Sequence, residues 1–279
     1  MKTWFITGAS RGFGALIAQR ALANGDNVVA TARNPEAVTE RLGQHANLLS
    51  VALDVTDQTQ AKLAVDQAIE RFGRIDVLLN NAGYGLLGAV EEATSEEVER
   101  LYRTNVFGLL TVTRTVLPHM RAQRSGRILN ISSIGGYRAA AGFGVYCSTK
   151  FAVEGLSEAL HAELEPLGIH VTVVEPGYFR TDFLDSTSLT ISGTSISDYN
   201  NTAGRVRGAA AELNHLQPGD PQRLAQVLVA FAEMANPPVR LPLGSDTVAA
   251  LKSKHDTDAA ILAQWHEVSV STDYAARAA

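Results

Sequence analysis

Cysteine is nearly absent from this chain: Cys147 is the only one in 279 residues. One thiol cannot close an internal disulfide, nor supply a thiolate zinc cluster. Its scarcity fits a reducing compartment. Charge is sparse and carries no basic excess. Lys plus Arg number 24 against 29 Asp plus Glu, a net of −5, and charged residues are 19 % of the whole. Such a chain is no general binder of nucleic acid, because nothing overall attracts a phosphate polymer. Long apolar runs are missing too. None reaches the ~18 to 20 residues that span a bilayer. The first run, Trp4-Phe5-Ile6, is too short for a secretory leader before Gly8 interrupts it. A soluble, cytoplasmic protein with no membrane partner is expected. Seven histidines are scattered, none spaced four apart with an acid between. His119, His161 and His170 therefore read as surface or packing residues, and no metal site is expected.

What remains is globular. Apolar residues make up 46 %, and short β-rich runs alternate with longer helical periods. That alternation predicts an α/β fold with a parallel sheet covered by helices. Strands are expected at 3–7, 27–31, 48–53, 77–80, 127–131 and 170–174. Helices are expected from Phe13 to the stop at Asn24-Gly25, over 59–72, 95–120 and 146–167. The long helix from Ser95 opens on a capping-box pattern. After Pro176-Gly177 the texture changes. Residues 181–201 are rich in Ser, Thr, Asp and Gly and read as a mobile excursion, with a helix near 198–213. A helix over 221–235, an edge strand over 239–243 and one or two helices over 246–265 close the chain. With no repeat or clean linker, 1–279 reads as a single domain. Residues 1–182 form its core, 183–216 a substrate lid, and 217–279 the closing helices and last strand.

The loop Thr7-Gly8-Ala9-Ser10-Arg11-Gly12-Phe13-Gly14 joins the first strand to the first helix. Gly8 permits a tight turn. Gly12 lets backbone N–H groups approach a pyrophosphate at the positive end of the helix, and Gly14 lets that helix pack close to the strand. In dinucleotide folds an acid at the end of strand two binds the ribose 2′-hydroxyl and selects NAD. Here that end reads Thr31-Ala32-Arg33-Asn34, with no acid. Arg33 and Arg11 offer two guanidiniums for a 2′-phosphate, so NADP(H) is preferred over NAD(H). Asp54 ends strand three, where its carboxylate can accept from an adenine amino group or serve as a loop acid.

Tyr146 and Lys150 lie four apart at a helix start, on one face, about one turn from each other. An unperturbed phenol titrates near ~10, and a neighbouring ammonium lowers it toward a useful range. Ser133, thirteen residues before Tyr146, follows strand five and can hydrogen-bond a substrate carbonyl; Ser132 is its competitor. Asn105 lies inside the long helix, where an amide is unfavourable without a task. Phe143, Tyr178, Phe179, Phe183 and Leu184 flank this set in sequence, as an apolar pocket wall or simply as core. Cys147, beside Tyr146, points about 100° round the helix and reads as packing. A thiol reagent there is expected to inhibit only by blocking access.

Taken together, Thr7-Gly8-x-x-x-Gly12-x-Gly14, Asp54-Val55, Asn80-Asn81-Ala82-Gly83, Asn105, Ser133, Tyr146-x-x-x-Lys150 and Pro176-Gly177 resemble the short-chain dehydrogenase/reductase family in order and spacing. The stretch from Gly83 to Leu164 is most similar to its carbonyl-reductase and hydroxysteroid- or retinol-dehydrogenase-like branch. The resemblance covers residues 3–182 strongly. It implies a Rossmann-type, doubly wound parallel sheet and hydride transfer between nicotinamide and a ketone, aldehyde or secondary alcohol. By position it makes Tyr146 the general acid/base and Lys150 the ribose-binding cation that depresses the phenol. Ser133 orients the carbonyl oxygen, and Asn105 holds a water that relays protons to Lys150. The implied cofactor contacts are Gly8, Ser10, Arg11, Gly12, Phe13, Gly14, Arg33, Asp54, Val55, Asn81, Ala82, Gly83, Pro176, Gly177 and Thr181, with Tyr146 and Lys150. It also implies a homodimer or homotetramer acting on a small molecule. Two rival readings are an epimerase or dehydratase that retains its cofactor, and an NADP-sensing protein without catalysis.

Overall fold

The structure is a computed structural model, and it describes residues 1–274. Its first strand, β1 (Thr3–Thr7), is buried from end to end. A strand hydrophobic at every position must be covered on both faces, and β1 shows how. Trp4 and Ile6 enter one core with α1 (Gly12–Ala23), while Phe5 between them enters the opposite core. β2 (Asn27–Ala32) and β4 (Val77–Asn80) split in the same way. Val28, Ala30, Val77 and Leu79 go to the first core, and Val29 and Leu78 to the second. The second core is closed by α3 (Gln58–Phe72) and α5 (Leu109–Gln123), and the first by α1 and α8 (Pro221–Phe231).

With β3 (Leu48–Ala52), β6 (Gly126–Ile131), β7 (Ile169–Pro176) and β9 (Arg240–Leu243), the sheet has seven strands in the order β3-β2-β1-β4-β6-β7-β9. Every pairing is parallel. This is the expected doubly wound Rossmann-type sheet. The chain builds outward from β1 to β3, then returns to place β4 on the other side of β1. That reversal leaves a crevice at the carboxyl ends of β1 and β4, where α/β sheets bind ligands.

Four features depart from the sequence reading. A short helix α2 (Glu36–Leu42) follows Pro35, burying only Val38 and Leu42, too few apolar positions to register as a period. The long helix expected from Ser95 is instead α4 (Ser95–Tyr102), a π-helical segment (Arg103–Gly108) and α5. Its capping box is present, with Thr94 accepting from the Glu97 N–H and Glu97 accepting from the Thr94 N–H. The excursion after β7 is pinned by a second, two-stranded sheet. β5 (Gly85–Leu87) pairs in parallel with β8 (Leu189–Ile191). Three-residue strands in polar surroundings carry no readable alternation. The helix expected near 198–213 is a π-helical segment, Asn200–Gly204, leading into α7 (Arg205–Leu213). α6 (Gly144–Leu164) carries Tyr146 and Lys150, and α9 (Ser245–Val270) closes the described chain as one helix. Among the described residues no helix is long and apolar enough to cross a membrane.

Candidate active site

A cavity of about 1190 Å³ opens at the carboxyl ends of the central strands. The glycine loop forms one of its walls. Gly8 and Gly12 have φ of +66° and +53°, the left-handed region that L side chains avoid. Gly14 answers a different need: a Cβ there would overlap the Gly8 carbonyl oxygen and lie 2.7 Å from Asn81 Nδ2. The loop is held from β4. Asn81 Nδ2 donates to the carbonyls of Thr7 and Gly8, both at 3.0 Å, and Thr7 Oγ1 accepts from the N–H groups of Asn81 (2.9 Å) and Ala82 (3.0 Å). Gly14→Ala is therefore expected to cost about 1–3 kcal/mol in overpacking. It should also weaken nucleotide binding by displacing the loop; thermal melting with and without NADPH checks both.

Arg11 and Arg33 are both exposed and both border the cavity. Arg11 also donates to the Thr187 carbonyl at 2.5 Å, reaching the strap of chain that leads into β8. Arg33 has no ion-pair partner among the described residues. Asp54 is a loop acid: its Oδ1 accepts from the Thr56 N–H at 2.9 Å and the Thr56 hydroxyl at 2.8 Å. The N-cap of α3 is Asp57, which accepts from the N–H groups of Thr59 and Gln60. Ser10, Phe13, Val55, Gly83, Pro176, Gly177 and Thr181 border the same cavity.

At the other wall, Ser133 lies two residues beyond β6 and caps a short 3-10 turn, its Oγ accepting from the Gly135 N–H at 3.0 Å. Its neighbour Ser132 turns the opposite way. A Cβ on Gly136 would overlap Ser132 Oγ and sit 2.7 Å from Glu154 Oε1, so that hydroxyl faces Glu154. Tyr146 and Lys150 are 7 % exposed each, and Lys150 Nζ lies 5.8 Å from the centre of the Tyr146 ring. Nζ donates to the Ile131 carbonyl at 2.8 Å. Burial brings Lys150 down to about 8, opposed by the charge of Glu154. Burial pushes the Tyr146 phenol up, and the facing Ser133 hydroxyl pulls the other way. Desolvation is thus the largest influence on the phenol in this structure.

Asn105 is buried within the π-helical segment. Its Oδ1 accepts from the Tyr84 N–H at 3.1 Å, and its Nδ2 donates to the Tyr84 carbonyl at 3.0 Å and to Thr149 Oγ1 at 3.2 Å. The widened turn lets a mid-helix amide bridge the strand after Gly83 to α6. Asn105 and Lys150 meet across Gly83, where a Cβ would lie 3.1 Å from Asn105 Oδ1 and 3.8 Å from Lys150 Nζ. Cys147 is buried against Gly135, and burial pushes its thiol up. A buried, protonated thiol reacts slowly, which fits the packing role read for Cys147. Phe143 and Phe183 flank the Tyr146 ring at 6.0 and 5.6 Å between centroids. With Tyr178, Phe179 and Leu184 they line the cavity, and Phe179 also packs edge-on against Phe13 at 5.5 Å.

Sequence reasoning missed a charge cluster behind α6. Arg240 Nη1 contacts Glu154 Oε2 at 2.6 Å and Glu175 Oε1 at 2.5 Å, and its Nη2 contacts Glu158 Oε1 at 2.7 Å. Glu154 and Glu175 are buried. Burial pushes Glu154 up to about 7, helped by Glu175 and opposed by Ser132 and Arg240. The one sequence signal was Glu154, a turn beyond Lys150. Gln217 was missed as well. It is buried at the cavity edge with neither atom of its amide hydrogen-bonded, and nothing around it in sequence marks it.

The short chain dehydrogenase family model matches residues 2–191. Oxidoreductase BOA17 of Botryotinia fuckeliana (strain B05.10) is 38 % identical over 97 % of this chain and 99 % of its own. The 3-ketodihydrosphingosine reductase of Bacteroides thetaiotaomicron is 40 % identical over 86 % of each. A short-chain dehydrogenase from Streptomyces avermitilis superposes with a TM-score of 0.91 at 40 % identity, covering 98 % of this chain and 99 % of that one. The 3-ketoacyl-(acyl-carrier-protein) reductase of Brucella melitensis, complexed with NADH, gives a TM-score of 0.72 at 27 % identity, covering 87 % and 96 %. ElxO with NADP bound gives 0.73 at 26 %, covering 89 % and 99 %. The chain belongs to the short-chain dehydrogenase/reductase family and is an NAD(P)-dependent oxidoreductase.

Proposed function

We propose that this enzyme uses NADP(H) to interconvert an apolar ketone or aldehyde and the corresponding alcohol. The observation that carries the reading is the convergence of Ser133, Tyr146 and Lys150 on one wall of the cavity whose other wall is formed by Gly8, Ser10, Arg11, Gly12 and Phe13 of the glycine loop. The left-handed glycines, in a loop that Gly14 lets pack close against Gly8 and Asn81, fit a pyrophosphate. Ser10 and Phe13 belong to that cradle, Asp54 and Val55 would hold the adenine end, and Asn81, Ala82 and Gly83 its ribose. Pro176, Gly177 and Thr181 would hold the nicotinamide end. A nicotinamide bound there supplies hydride to the carbonyl carbon, or accepts it from the alcohol carbon.

The chain's own residues handle the proton. Ser133 holds the carbonyl oxygen. Tyr146, kept neutral by burial, gives that oxygen its proton as negative charge develops, and the Lys150 ammonium stabilises the phenolate left behind. Oxidation runs the same steps backward, with the phenolate taking the alcohol proton. Asn105 holds the strand after Gly83 in place beside Lys150 and belongs to the relay that returns the proton. The aromatic wall of Phe143, Tyr178 and Phe183 favours a substrate with an apolar body. The similarity to a 3-ketodihydrosphingosine reductase supports the same class.

Residues 1–279 act as one unit in this reading, with 183–216 as the lid. Its anchor is the buried Glu92, paired with Arg207 at 2.7 Å. A homodimer or homotetramer through α4–α5 and α6 belongs to the reading, supported by Phe107 and Phe151, 55 % and 43 % exposed on those segments. A panel of ketones and aldehydes assayed by NADPH oxidation tests the activity. Turnover of substrate without net NADPH consumption would point instead to epimerisation or dehydration. The absence of an acid at the end of β2, beside Arg33, carries the NADP(H) preference. Arg33→Asp is expected to weaken NADPH by about tenfold or more, the loss of a charge-assisted contact, and to spare NADH. Equal loss of both in fluorescence titrations would refute the assignment.

A further inference from the structure

We propose that Asp246, in the first turn of α9, is the positioning residue for the nicotinamide end of the cavity. Asp246 Oδ2 accepts from the Tyr178 N–H at 2.7 Å, and Oδ1 accepts from the Thr247 N–H at 2.9 Å. Two glycines make way for this one carboxylate. A Cβ on Gly177 would overlap both of its oxygens, and a Cβ on Gly244 would lie 2.5 Å from Oδ1. Gly244 also has a φ of +103°, so the chain enters α9 through a conformation that favours glycine. The Gly177 N–H donates to the Leu243 carbonyl at 3.0 Å, continuing the β7–β9 pairing into the turn. Asp246 therefore lies flat against the back of Pro176-Gly177-Tyr178, whose front borders the cavity together with Tyr146 and Lys150.

The physical consequence is specific. A turn after the last residue of a strand is free to rotate unless its N–H groups are held. Here both N–H groups that follow Pro176 are held, one by β9 and one by Asp246. A carboxylate accepting from an N–H makes a stronger bond than a neutral acceptor does. Its position in the first turn of a 26-residue helix is electrostatically favourable in its own right. The turn is thus preorganised for the half of the cofactor that reacts, while the adenine half is held by a different set of residues, about β1–β3.

The inference rests on the cofactor placement proposed above, and the test separates the two. Binding of NADPH, NADP⁺ and the adenine-half fragments AMP and 2′,5′-ADP is measured by calorimetry for the parent, Asp246→Ala and Asp246→Asn. Asp246→Ala is expected to weaken NADPH and NADP⁺ by about tenfold, the loss of one charge-assisted hydrogen bond, and to leave both fragments unchanged. Asp246→Asn keeps one acceptor for Tyr178 and is expected to recover most of the NADPH affinity. If NADPH binds Asp246→Ala as it binds the parent, or if the fragments weaken in step with it, Asp246 is not a positioning residue. If Asp246→Ala does not fold, Asp246→Ser, whose shorter side chain takes the carboxylate away from the Tyr178 N–H, is read by the same two criteria. A parent that binds 2′,5′-ADP but no nicotinamide cofactor would overturn the placement itself.

Discussion

Tyr146→Phe is expected to lower kcat by about 10² to 10⁴, the range a positioned general acid contributes, and to leave NADPH affinity within about twofold. The substitution removes one oxygen from a side chain that is otherwise fixed. The ring keeps its contacts with Phe143 and Phe183, and Lys150 keeps its bond to the Ile131 carbonyl. The effect therefore belongs to the proton and not to packing. The pH dependence separates this reading from a structural one. Lys150 stands at about 8 through burial, so its charge is lost as pH rises through that value. A parent whose turnover rises and falls with a limb near 8, beside a Phe variant that is flat and low, would fit. A Phe variant with near-normal turnover would mean that another group supplies the proton.

Arg240→Met is the change with the largest expected effect on stability, a loss of about 3–5 kcal/mol at neutral pH. Removing one partner from a buried ion cluster leaves uncompensated charge, and here two buried carboxylates, Glu154 and Glu175, lose the same guanidinium. The sign of the pH dependence follows from Glu154. Its folded-state value is raised to about 7, above the ordinary carboxylate range of the unfolded chain. The folded protein therefore holds a proton that the unfolded chain has released. That contribution is complete below the ordinary range and is lost as pH rises through about 7. Arg240→Met should accordingly be less destabilised near pH 5 than near pH 8, and Glu154→Gln should flatten the difference in either background. Urea denaturation at the two pH values checks this. Equal losses at both would mean that the carboxylates are not the source.

The motifs that sequence alone made legible are those set by neighbours along the chain. Gly8, Gly12 and Gly14 are readable because a strand, a tight turn and a helix start must follow one another within a few residues. Tyr146 and Lys150 are readable because helical geometry puts positions four apart on one face. The same locality made β1, β2, β4, β6 and β7 legible as apolar runs, and with them the parallel sheet. What depended on distant partners was not legible. No local pattern says that the amide of Asn105 bridges to Tyr84 through a π-helical turn, or that Leu189–Ile191 pairs with Gly85–Leu87. Nor does any mark Arg240 as the cation for residues 65 and 86 positions earlier.

The amino-acid sequence by itself determined the family, the order of the main elements and the residues that line up along each one. Those follow from side-chain periodicity and backbone freedom, which act over a handful of residues. Only the tertiary structure decided the state of those residues. Burial pushes the Tyr146 phenol up and brings Lys150 down, because desolvation depends on what covers a group and not on what adjoins it in the chain. It also decided that Ser132 turns to Glu154 while Ser133 stays at the cavity wall, and that a carboxylate from the closing helix, Asp246, stands behind Gly177. These arrangements come from strands and helices meeting across the sheet, at distances in sequence where no periodicity survives.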